Sequence, residues 1–388
     1  MIKLAVIFGG KSVEHEVSII TAVQAMNKID SNKYEIIPIY VTKELEFFTG
    51  YPLREIDNYK DLNLLKRNTK KIQIVRINNQ VYLQTLGLFK RLIKEVDVIF
   101  PIGHGSYLED GALQGMVKLL DIPCVSSDQL ASAIGQDKVV QKLMYKASDI
   151  STSNFIWFYD FEFINDKENI LEKIKKLTYP VIVKPATLGS SVGIKVVKNE
   201  EEAVEAINQA IEYDKKIIVE EMIKNLKEVN ISILGGQENF ELSVIEEVGS
   251  KNDFLTYEDK YINGSKARKG MANSSRIIPA NIDDKVANEV RRLAKEVYKV
   301  IGLSGVVRLD FLIDEKTKKV YMNEANTIPG SLSFYLWDKT NKTYTEELDI
   351  MISNSIREYK KESKKIRTFK TNILEGFSGL KGLKGIKK

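Results

Sequence analysis

The sequence has few of the residues that build disulfides or transition-metal sites. Among its 388 residues there is one cysteine, Cys124, and there are two histidines, His15 and His104. One cysteine excludes an internal disulfide and a zinc site built on several cysteines. Cys124 follows an Ile-Pro pair in an apolar context, so we expect a buried structural thiol rather than a nucleophile.

Long apolar runs and a strong net charge are also missing. No stretch approaches ~18 uninterrupted apolar residues, so no membrane span is predicted. The formal net charge of +5 is small for this length and gives no indication of nucleic-acid binding. The first eight residues are typical of a buried strand rather than a signal peptide, and we place the protein in the cytoplasm.

The first third of the chain has the pattern of an α/β domain, which we place at residues 1–130. An apolar run at 4–8 ends at two glycines and is followed by a helical pattern at 17–29, which is how an α/β unit opens. Further strands are predicted at 36–41, 96–102 and 123–127, and a helix at 113–120.

Two α+β domains are predicted next, at residues 131–225 and 226–362. Their helices are predicted at 130–147, 200–213, 283–301 and 348–360, and their strands at 156–158, 181–185, 194–197, 217–221, 229–234, 242–248, 306–313 and 320–324. The polar residues 250–276 indicate a lid loop, because a loop of that length in a compact domain is usually functional or disordered. Residues 363–388 end in a Gly-Leu-Lys repeat and predict a flexible basic tail, with partner docking as the alternative.

Three oxygen-bearing side chains lie on two short apolar runs near the end of the third domain. They are Asp310, Glu324 and Asn326. Carboxylate and amide oxygens suit Mg²⁺, for which phosphates usually supply the remaining ligands. Arg308 lies two residues before Asp310, so the two point to the same side of a strand. A metal and phosphate cluster beside a cation indicates phosphoryl chemistry.

Glycine-rich segments mark three further candidates. Gly-Ser-Ser-Val-Gly at 189–193 follows Lys184 and suits a phosphate, or it is a plain tight turn; the Walker pattern Gly-x-x-x-x-Gly-Lys-Ser/Thr is absent. Glu14 lies where the first helix begins and either caps it or receives a substrate ammonium group. His104 lies between glycines after a strand, where open α/β sheets place ligands, or it makes a structural hydrogen bond.

Seven short motifs follow one another over about residues 2–330. They stand at 9–18 (Gly-Gly-x-Ser-x-Glu-x-Glu-Val-Ser), 104–115 (His-Gly, Glu-Asp-Gly, Gln-Gly), 131–138 (Ala-Ser-Ala, Asp-Lys), 184–193 (Lys-Pro, Gly-Ser-Ser-Val-Gly), 257–261 (Tyr-Glu-x-Lys-Tyr), 308–310 (Arg-x-Asp) and 323–330 (Asn-Glu-x-Asn-Thr-x-Pro-Gly). In this order the chain resembles the D-alanine–D-alanine ligases of the ATP-grasp superfamily. The resemblance implies α/β and α+β domains, with an N-terminal Rossmann-like domain and ATP between the second and third domains.

The resemblance also implies roles for most of the polar residues. Matching positions are catalytic (Glu14, Ser190, Tyr261, Arg308, Gly330), ATP-binding (Lys138, Lys184, Ser191, Glu220, Glu221, Glu228, Lys260), substrate-binding (His104, Ser333, Tyr335) and metal-binding (Asp310, Glu324, Asn326). Implied cofactors are ATP and two Mg²⁺ ions, with Mn²⁺ as an alternative. Implied partners are amino-acid substrates and a second copy in a homodimer, without nucleic acid.

The chain departs from the family after Gly330. The serine that meets the acceptor's carboxylate in the family is replaced by Tyr335, and Glu221 stands where the family often has lysine. Three functions therefore stay open at this point. They are a ligase joining two D-alanines for peptidoglycan precursors, a ligase of the same kind with another acceptor amine, and a non-catalytic nucleotide-binding scaffold.

Overall fold

The computed structural model describes residues 1–249, 276–372 and 375, and three sheets lie within these ranges. The predicted lid at 250–276 lies outside the described residues except for Arg276, and so does most of the tail from residue 373 onward. No helix in the described ranges has the length and apolar character needed to cross a membrane. The architecture is mixed α/β, as the sequence predicts.

The first sheet is built around a buried parallel core. Strand β1 (Ile2–Gly9) lies between β2 (Tyr34–Val41) and β7 (Val98–Pro101), parallel to both. Alternate residues of β1 enter two different apolar clusters, because side chains of a strand alternate between faces. An antiparallel extension completes the sheet, with β3 (Phe47–Thr49), β4 (Lys70–Ile77), β5 (Gln80–Thr85) and β6 (Leu92–Val96). Its helices are α1 (His15–Met26), α2 (Leu62–Arg67) and α3 (Ala112–Leu120), with 3₁₀ turns at Tyr51–Arg54 and Ile56–Lys60.

Two predicted strands of this domain differ in the structure. The strand predicted at 96–102 is interrupted at Asp97, which exchanges backbone and side-chain hydrogen bonds with Lys3. The strand predicted at 123–127 is wrong, because only Cys124 forms a bridge, to Ile99. The following serines bond instead to Ser304 in the third domain, which draws the chain away from the sheet.

The second sheet is antiparallel in its described pairings. Its order is β10 (Lys195–Val197), β9 (Val181–Pro185), β11 (Lys216–Glu221) and β8 (Phe155–Tyr159). Helices α6 (Asp160–Asn165), α7 (Lys167–Ile174) and α8 (Glu200–Ile211) accompany it. The helix predicted at 130–147 is two helices, α4 (Gln129–Gln136) and α5 (Lys138–Ala147), because Asp137 between them is extended and caps the second.

The third sheet carries the polar residues singled out above. Its order is β14 (Arg276–Ile277), β13 (Phe240–Val248), β12 (Leu226–Gly235), β15 (Gly305–Asp314) and β16 (Val320–Asn326). Helix α9 (Asp284–Ile301) buries its predicted apolar stripe against one face, where Val307, Leu309 and Phe311 join the same cluster. Arg308 and Asp310 alternate with these residues and therefore point to the opposite face. A 3₁₀ turn (Gly330–Ser333), α10 (Phe334–Asp338) and α11 (Tyr344–Glu362) follow.

Candidate active site

A row of four polar side chains crosses the third sheet on the face away from α9. Strand pairing places Glu246 of β13 opposite Asn230 of β12, Asn230 opposite Asp310 of β15, and Asp310 opposite Glu324 of β16. Directly paired residues point to the same side of a sheet and lie close together. The sequence spacing predicts that Arg308 lies beside Asp310. The strand register brings Glu246, Asn230 and Glu324 into line with Asp310.

Arg308 and Asp310 form a two-point ion pair. Nε and Nη2 of Arg308 donate to the two carboxylate oxygens of Asp310 at 2.7 and 2.8 Å. Burial alone would lower the pKa of Arg308, but the Asp310 carboxylate outweighs it and raises that pKa well above its ordinary range. Asn326 also donates to Asp310, at 3.0 Å. The guanidinium is therefore permanently charged and fixed in orientation.

The donor set around Asp310 fits a hard cation. Asp310 and Glu324 face each other on adjacent strands, and Asn326 adds an amide oxygen. Within the described ranges no cluster of three or more His, Cys, Asp or Glu side chains is placed to hold a metal. An ion here would therefore depend on two carboxylates, an amide and oxygens from a ligand, which is what Mg²⁺ at a phosphate accepts.

Two lysines that the sequence singles out lie outside this sheet, and one of them contacts the row. Lys138, at the start of α5, lies with Nζ 3.7 Å from Glu324 Oε2 and donates to the Leu188 carbonyl at 2.6 Å. Lys184, on β9, donates to Glu220 Oε1 at 3.2 Å. Both lysines are almost fully buried. Lys138 therefore adds a positive charge beside Glu324, which suits a phosphate chain with its cation.

Glu220, predicted to bind ATP, is buried in an ion cluster. Its carboxylate binds Lys184 and also Lys142, whose Nζ lies 3.1 Å from Oε2. Ser153 donates to the same carboxylate at 2.9 Å. Burial would raise the pKa of Glu220, but the two ammonium groups outweigh it and lower that pKa to about 2. This carboxylate holds two lysines in place.

The other two carboxylates predicted to bind ATP are Glu221 and Glu228, and they lie in different sheets. Glu221 accepts hydrogen bonds from the Asn154 amide and the Thr178 backbone N–H, both at 2.8 Å. Glu228 lies on β12 two residues before Asn230, so it points to the same face as the polar row. Glu228 is therefore beside the row, whereas Glu221 is tied into the second domain.

Glu14 connects the first domain to the glycine-serine loop. The Ser190 hydroxyl donates to Glu14 Oε1 across the two domains. Gly189 permits this approach, since a Cβ there would lie 2.6 Å from Glu14 Oε2. Glu14 begins α1 without a side-chain cap bond, so the capping interpretation is not supported. A cavity of about 430 Å³ lies beside this contact, lined by Lys11, Ser12, Val13, Glu14, Lys43, Gly105, Ser106, Gln136, Leu188 and Gly189.

Both histidines are buried and bonded to protein groups. His15 contacts the Gly10 carbonyl at 2.6 Å and the Tyr40 hydroxyl at 3.0 Å. His104 contacts the Thr21 hydroxyl at 3.0 Å and the Ile328 carbonyl at 2.8 Å. These contacts favour the hydrogen-bonding interpretation of His104, which here joins the first domain to the segment before Gly330.

The segment after Gly330 has an unusual backbone. Ser331, Leu332 and Ser333 have φ of 50°, 52° and 57°, a left-handed conformation that costs non-glycine residues free energy and concentrates at functional sites. Ser333 is fully buried, and its hydroxyl has no hydrogen-bond partner among the described residues. The turn directs Tyr335 back onto the sheet, where its hydroxyl donates to Glu246 Oε2 at 3.2 Å.

The predicted site residues are thus only partly brought together. Around the polar row and the glycine-serine loop the structure places Glu14, Lys138, Lys184, Ser190, Ser191, Glu228, Arg308, Asp310, Glu324, Asn326, Gly330 and Tyr335. Lys260 and Tyr261 lie outside the described residues. Lys142 is not among the sequence candidates, although its position four residues after Lys138 on a helix was an available signal. Glu109 lies in the motif at 104–115 but is given no role there, and Glu246 has no sequence signal, because its partners are distant in the chain.

Comparisons with known proteins match most of the chain to one family. The family model described as D-ala D-ala ligase N-terminus matches residues 3–127, and that described as D-ala D-ala ligase C-terminus matches residues 144–356. A D-alanine–D-alanine ligase from Thermosipho melanesiensis is 41% identical over 377 residues, covering 97% of this chain and 99% of the relative.

Two solved structures share the architecture. The D-alanine-D-alanine ligase from Coxiella burnetii superposes with a TM-score of 0.80 at 25% identity, covering 94% of this chain and 96% of that one. The VanG D-Ala:D-Ser ligase from Enterococcus faecalis superposes with a TM-score of 0.77 at 31% identity, covering 91% and 99%. This chain has an ATP-grasp fold and belongs to the D-alanine–D-alanine ligase family.

Proposed function

We propose that this chain joins two D-alanine molecules in an ATP-dependent reaction, giving the dipeptide used in peptidoglycan precursors. The observation that carries the proposal is the polar row, with Arg308 fixed to Asp310 and Lys138 beside Glu324. A non-catalytic scaffold would have no use for this combination of a fixed arginine, facing carboxylates and two buried lysines. The scaffold alternative is therefore set aside.

The first half of the reaction activates a carboxylate. The carboxylate of one D-alanine attacks the γ-phosphorus of ATP, the bond to the β-phosphate oxygen breaks, and an acyl phosphate and ADP form. Enzymes accelerate such transfers mainly by positioning and electrostatics. Lys138 and Lys184 supply fixed positive charge, and the backbone and hydroxyls of residues 189–193 suit the phosphate oxygens.

Asp310, Glu324 and Asn326 are proposed to hold two Mg²⁺ ions, with Mn²⁺ as a substitute. Such ions, when bound, offset the negative charge of the phosphate chain. In the structure Arg308 and Lys138 balance the two carboxylates. The same carboxylates can therefore exchange part of this pairing for a cation without being left as isolated buried charges.

The second half forms the peptide bond. The amine of the second D-alanine attacks the acyl carbon, and the carbonyl oxygen becomes an oxyanion. The bond from that carbon to the phosphate oxygen then breaks, and the amine proton leaves with the phosphate. Arg308 and the Gly330 backbone N–H are proposed to hold that oxyanion. One such donor is typically worth ~10²–10³ in rate. Glu14, with Ser190, is proposed to bind the ammonium group of the first D-alanine beside the cavity, and Tyr261 to complete that link.

The test is a product assay on the purified protein. It is incubated with ATP, Mg²⁺ and a panel of D- and L-amino acids, and both phosphate release and dipeptide mass are measured. We expect release that depends on D-alanine, with D-Ala-D-Ala as the product. Phosphate release that depends on D-alanine but gives no D-Ala-D-Ala would contradict the proposed acceptor. If no carboxylate causes phosphate release, the non-catalytic scaffold is favoured.

A second candidate keeps the chemistry and changes the acceptor. It is supported by Tyr335, which stands where the resembled ligases have serine, and by the likeness to a relative named for D-serine. Mixed products with D-serine in the same assay would favour this candidate.

The arrangement of the whole protein is also proposed from the resemblance. We propose three domains at 1–130, 131–225 and 226–362 with ATP between the second and third, Lys260 on the nucleotide, and a cytoplasmic homodimer. Size-exclusion chromatography with light scattering tests the dimer.

A further inference from the structure

His15 follows Glu14 directly in the chain, and the proposed function gives it no role. That function, on which this inference rests, assigns the ammonium group of the first D-alanine to Glu14. The His15 side chain is 1% exposed and does not line the cavity beside Glu14. Any effect of His15 on the substrate must therefore act through the residues that it contacts.

The loop between β1 and α1 carries Glu14 to the cavity. It begins at Gly10, where φ is 87° and the backbone N–H donates to the Val41 carbonyl at 2.8 Å. Further along, the Glu14 N–H donates to the Ser12 hydroxyl at 3.1 Å, and the His15 N–H donates to the Ser12 carbonyl at 3.2 Å. These two bonds shape the second half of the loop, but they do not tie it to Gly10.

The His15 side chain joins the two ends of this loop. Its Nδ1 lies 2.6 Å from the Gly10 carbonyl oxygen, and its Nε2 lies 3.0 Å from the Tyr40 hydroxyl on β2. A carbonyl only accepts hydrogen bonds, so Nδ1 carries the proton and Nε2 accepts the hydrogen of the Tyr40 hydroxyl. Burial lowers the pKa of His15, which favours this neutral form. Both ring nitrogens are therefore bonded in a single tautomer.

Tyr40 anchors the imidazole to the core of the N-terminal sheet. Its ring is buried between Tyr59 and Phe8, with ring centres 5.4 and 6.1 Å away. The His15 ring packs edge-on against the same tyrosine, with centres 5.6 Å apart. A ring that is bonded at both nitrogens and packed on an aromatic cluster has one orientation. The Gly10 carbonyl is thereby fixed relative to the sheet.

We propose that His15 is a positioning residue for the first substrate. By holding the Gly10 carbonyl, it determines where the loop presents Glu14 to the ammonium group of the first D-alanine. A displacement of about 1 Å in such a binding group can cost as much as ~10² in rate. The lysines proposed to bind ATP, Lys138 and Lys184, lie on other elements, so the effect should be confined to the amino-acid substrate.

Two substitutions separate the two bonds of His15. The side-chain amide of Asn can take the place of Nδ1, so His15→Asn keeps a donor for the Gly10 carbonyl. The amide of Gln extends to the place of Nε2, so His15→Gln loses that donor and keeps a partner for Tyr40. Their difference therefore isolates the bond to Gly10 from the general cost of replacing a buried ring.

Calorimetry on the full-length protein measures D-alanine binding in the presence of Mg²⁺ and a non-hydrolysable ATP analogue. We expect the Kd for D-alanine to rise about tenfold in His15→Gln and to stay within about threefold of the wild type in His15→Asn. The Kd for the analogue should change by less than about twofold in both variants, since its lysines are untouched. Equal Kd values for D-alanine in the two variants, whether raised or not, would overturn the proposal.

Tyr40→Phe tests the second nitrogen. It removes the hydroxyl bonded to Nε2 and keeps the packed ring, so the imidazole can turn and the Kd for D-alanine should rise about threefold. Tyr298→Phe is the matched control, because it removes a buried bond from a tyrosine hydroxyl to the Gly235 carbonyl, at 2.9 Å, on α9. Both variants should lose similar stability in urea, and only Tyr40→Phe should bind D-alanine more weakly. If His15→Gln does not fold, this pair decides, and an unchanged Kd in Tyr40→Phe overturns the proposal.

The wild type separates this inference from the proposed function. If the wild type binds no D-alanine, the proposed function is wrong and the role of His15 is wrong with it. If the wild type and all the variants bind D-alanine equally, only the role of His15 is wrong. If the wild type binds D-alanine but makes another product, the binding comparison still decides the role of His15.

Discussion

Glu220 is a carboxylate that stays charged although it is buried. Burial of a lone carboxylate raises its pKa, yet Lys142 and Lys184 together lower that of Glu220 to about 2. Lys142 in turn has its pKa lowered, first by burial, with Glu220 opposing this effect. Each buried charge is stabilised by the opposite charges around it. Removing Glu220 therefore leaves both lysines without their partner.

Glu220→Gln should therefore lower the free energy of unfolding by an amount that depends on pH. At pH 7 the variant should lose about 3–5 kcal/mol of unfolding free energy, because two buried ammonium groups lose their partner. The folded pKa of about 2 lies below the ordinary value of 4.5, so the stabilisation by Glu220 is present above pH 4.5 and is lost as the pH falls toward 2. At pH 3 the gap between the variant and the wild type should narrow by about 2 kcal/mol. Urea unfolding at the two pH values measures it, and a gap independent of pH contradicts the assignment.

Glu324→Gln tests the metal-binding end of the row. The substitution removes one charged ligand and should lower kcat by about 10² or more, since the lost charge stabilisation amounts to several kcal/mol. A coupled assay of ADP formation measures activity, and Mn²⁺ titration by electron paramagnetic resonance measures ion binding separately. Glu315→Gln is the matched control, because Glu315 is half-exposed and paired with Lys227. Normal activity and normal Mn²⁺ affinity in Glu324→Gln would show that Glu324 is not a metal ligand.

At the residue scale, prediction from sequence succeeds where partners are close in the chain. Arg308 and Asp310 are predicted on one side of a strand, and their two-point contact confirms it. The alignment of Asp310 with Glu246 depends on the register of β12 with the strands on both sides of it. Residues far apart in the chain set that register. The same limit applies to Glu220, whose lysine partners come from a helix and another strand.

The break between α4 and α5 shows how an element places a site residue. Asp137 is extended, and its carboxylate accepts hydrogen bonds from Val139 N at 2.9 Å and Val140 N at 3.1 Å. Capping at this point starts α5 with Lys138, and Lys138 N bonds to the carbonyl of Ala186, the residue after β9. A continuous helix would turn Lys138 to a different side.

Asp137→Ala is therefore expected to affect both stability and nucleotide binding. Loss of the cap should cost about 1 kcal/mol, and loss of the partly buried ion pair with Lys216 adds to that cost. By displacing Lys138, the substitution should also raise the KM for ATP several-fold. Asp283→Ala is the control, because Asp283 caps α9 by the same bond to Val286 N but lies away from the row. The pair is compared by thermal unfolding and steady-state kinetics. Equal KM values in the two variants would show that the cap does not position Lys138.

Elements with a strong apolar period are predicted well, and the rest are not. The stripe of α9 and the strands at 306–313 and 320–324 are confirmed, within a few residues at their ends. The extension β3–β6 is missed, because exposed and half-exposed residues dominate its outer strands. The segment 123–127 begins with apolar residues, which is why a strand is predicted there. Its serine instead bonds to Ser304, and local sequence does not predict a contact with a residue so distant in the chain.

At the scale of the whole molecule, residues near the N-terminal sheet hold the backbone segment that leads to Gly330, the proposed oxyanion donor. Glu109 accepts hydrogen bonds from Ile328 N at 3.0 Å and Thr327 Oγ1 at 3.2 Å, and from Gly105 N within its own domain at 3.0 Å. His104 bonds to the Ile328 carbonyl. These contacts fix the segment just before Gly330, so a residue of the first domain determines where the proposed oxyanion donor lies.

Glu109→Gln should consequently weaken catalysis more than binding. One carboxylate oxygen becomes an NH₂ group that faces backbone N–H donors, so the segment before Gly330 should shift and kcat should fall about tenfold, since small displacements of an oriented donor are costly. The KM for ATP should stay within about twofold. Ser127→Ala is the control, because Ser127 also bonds across domains, to Ser304 at 3.0 Å, but away from Gly330. We expect both variants to lose a similar amount of stability and only Glu109→Gln to lose kcat. Equal kcat values in the two variants would mean that Glu109 stabilises the fold without orienting Gly330.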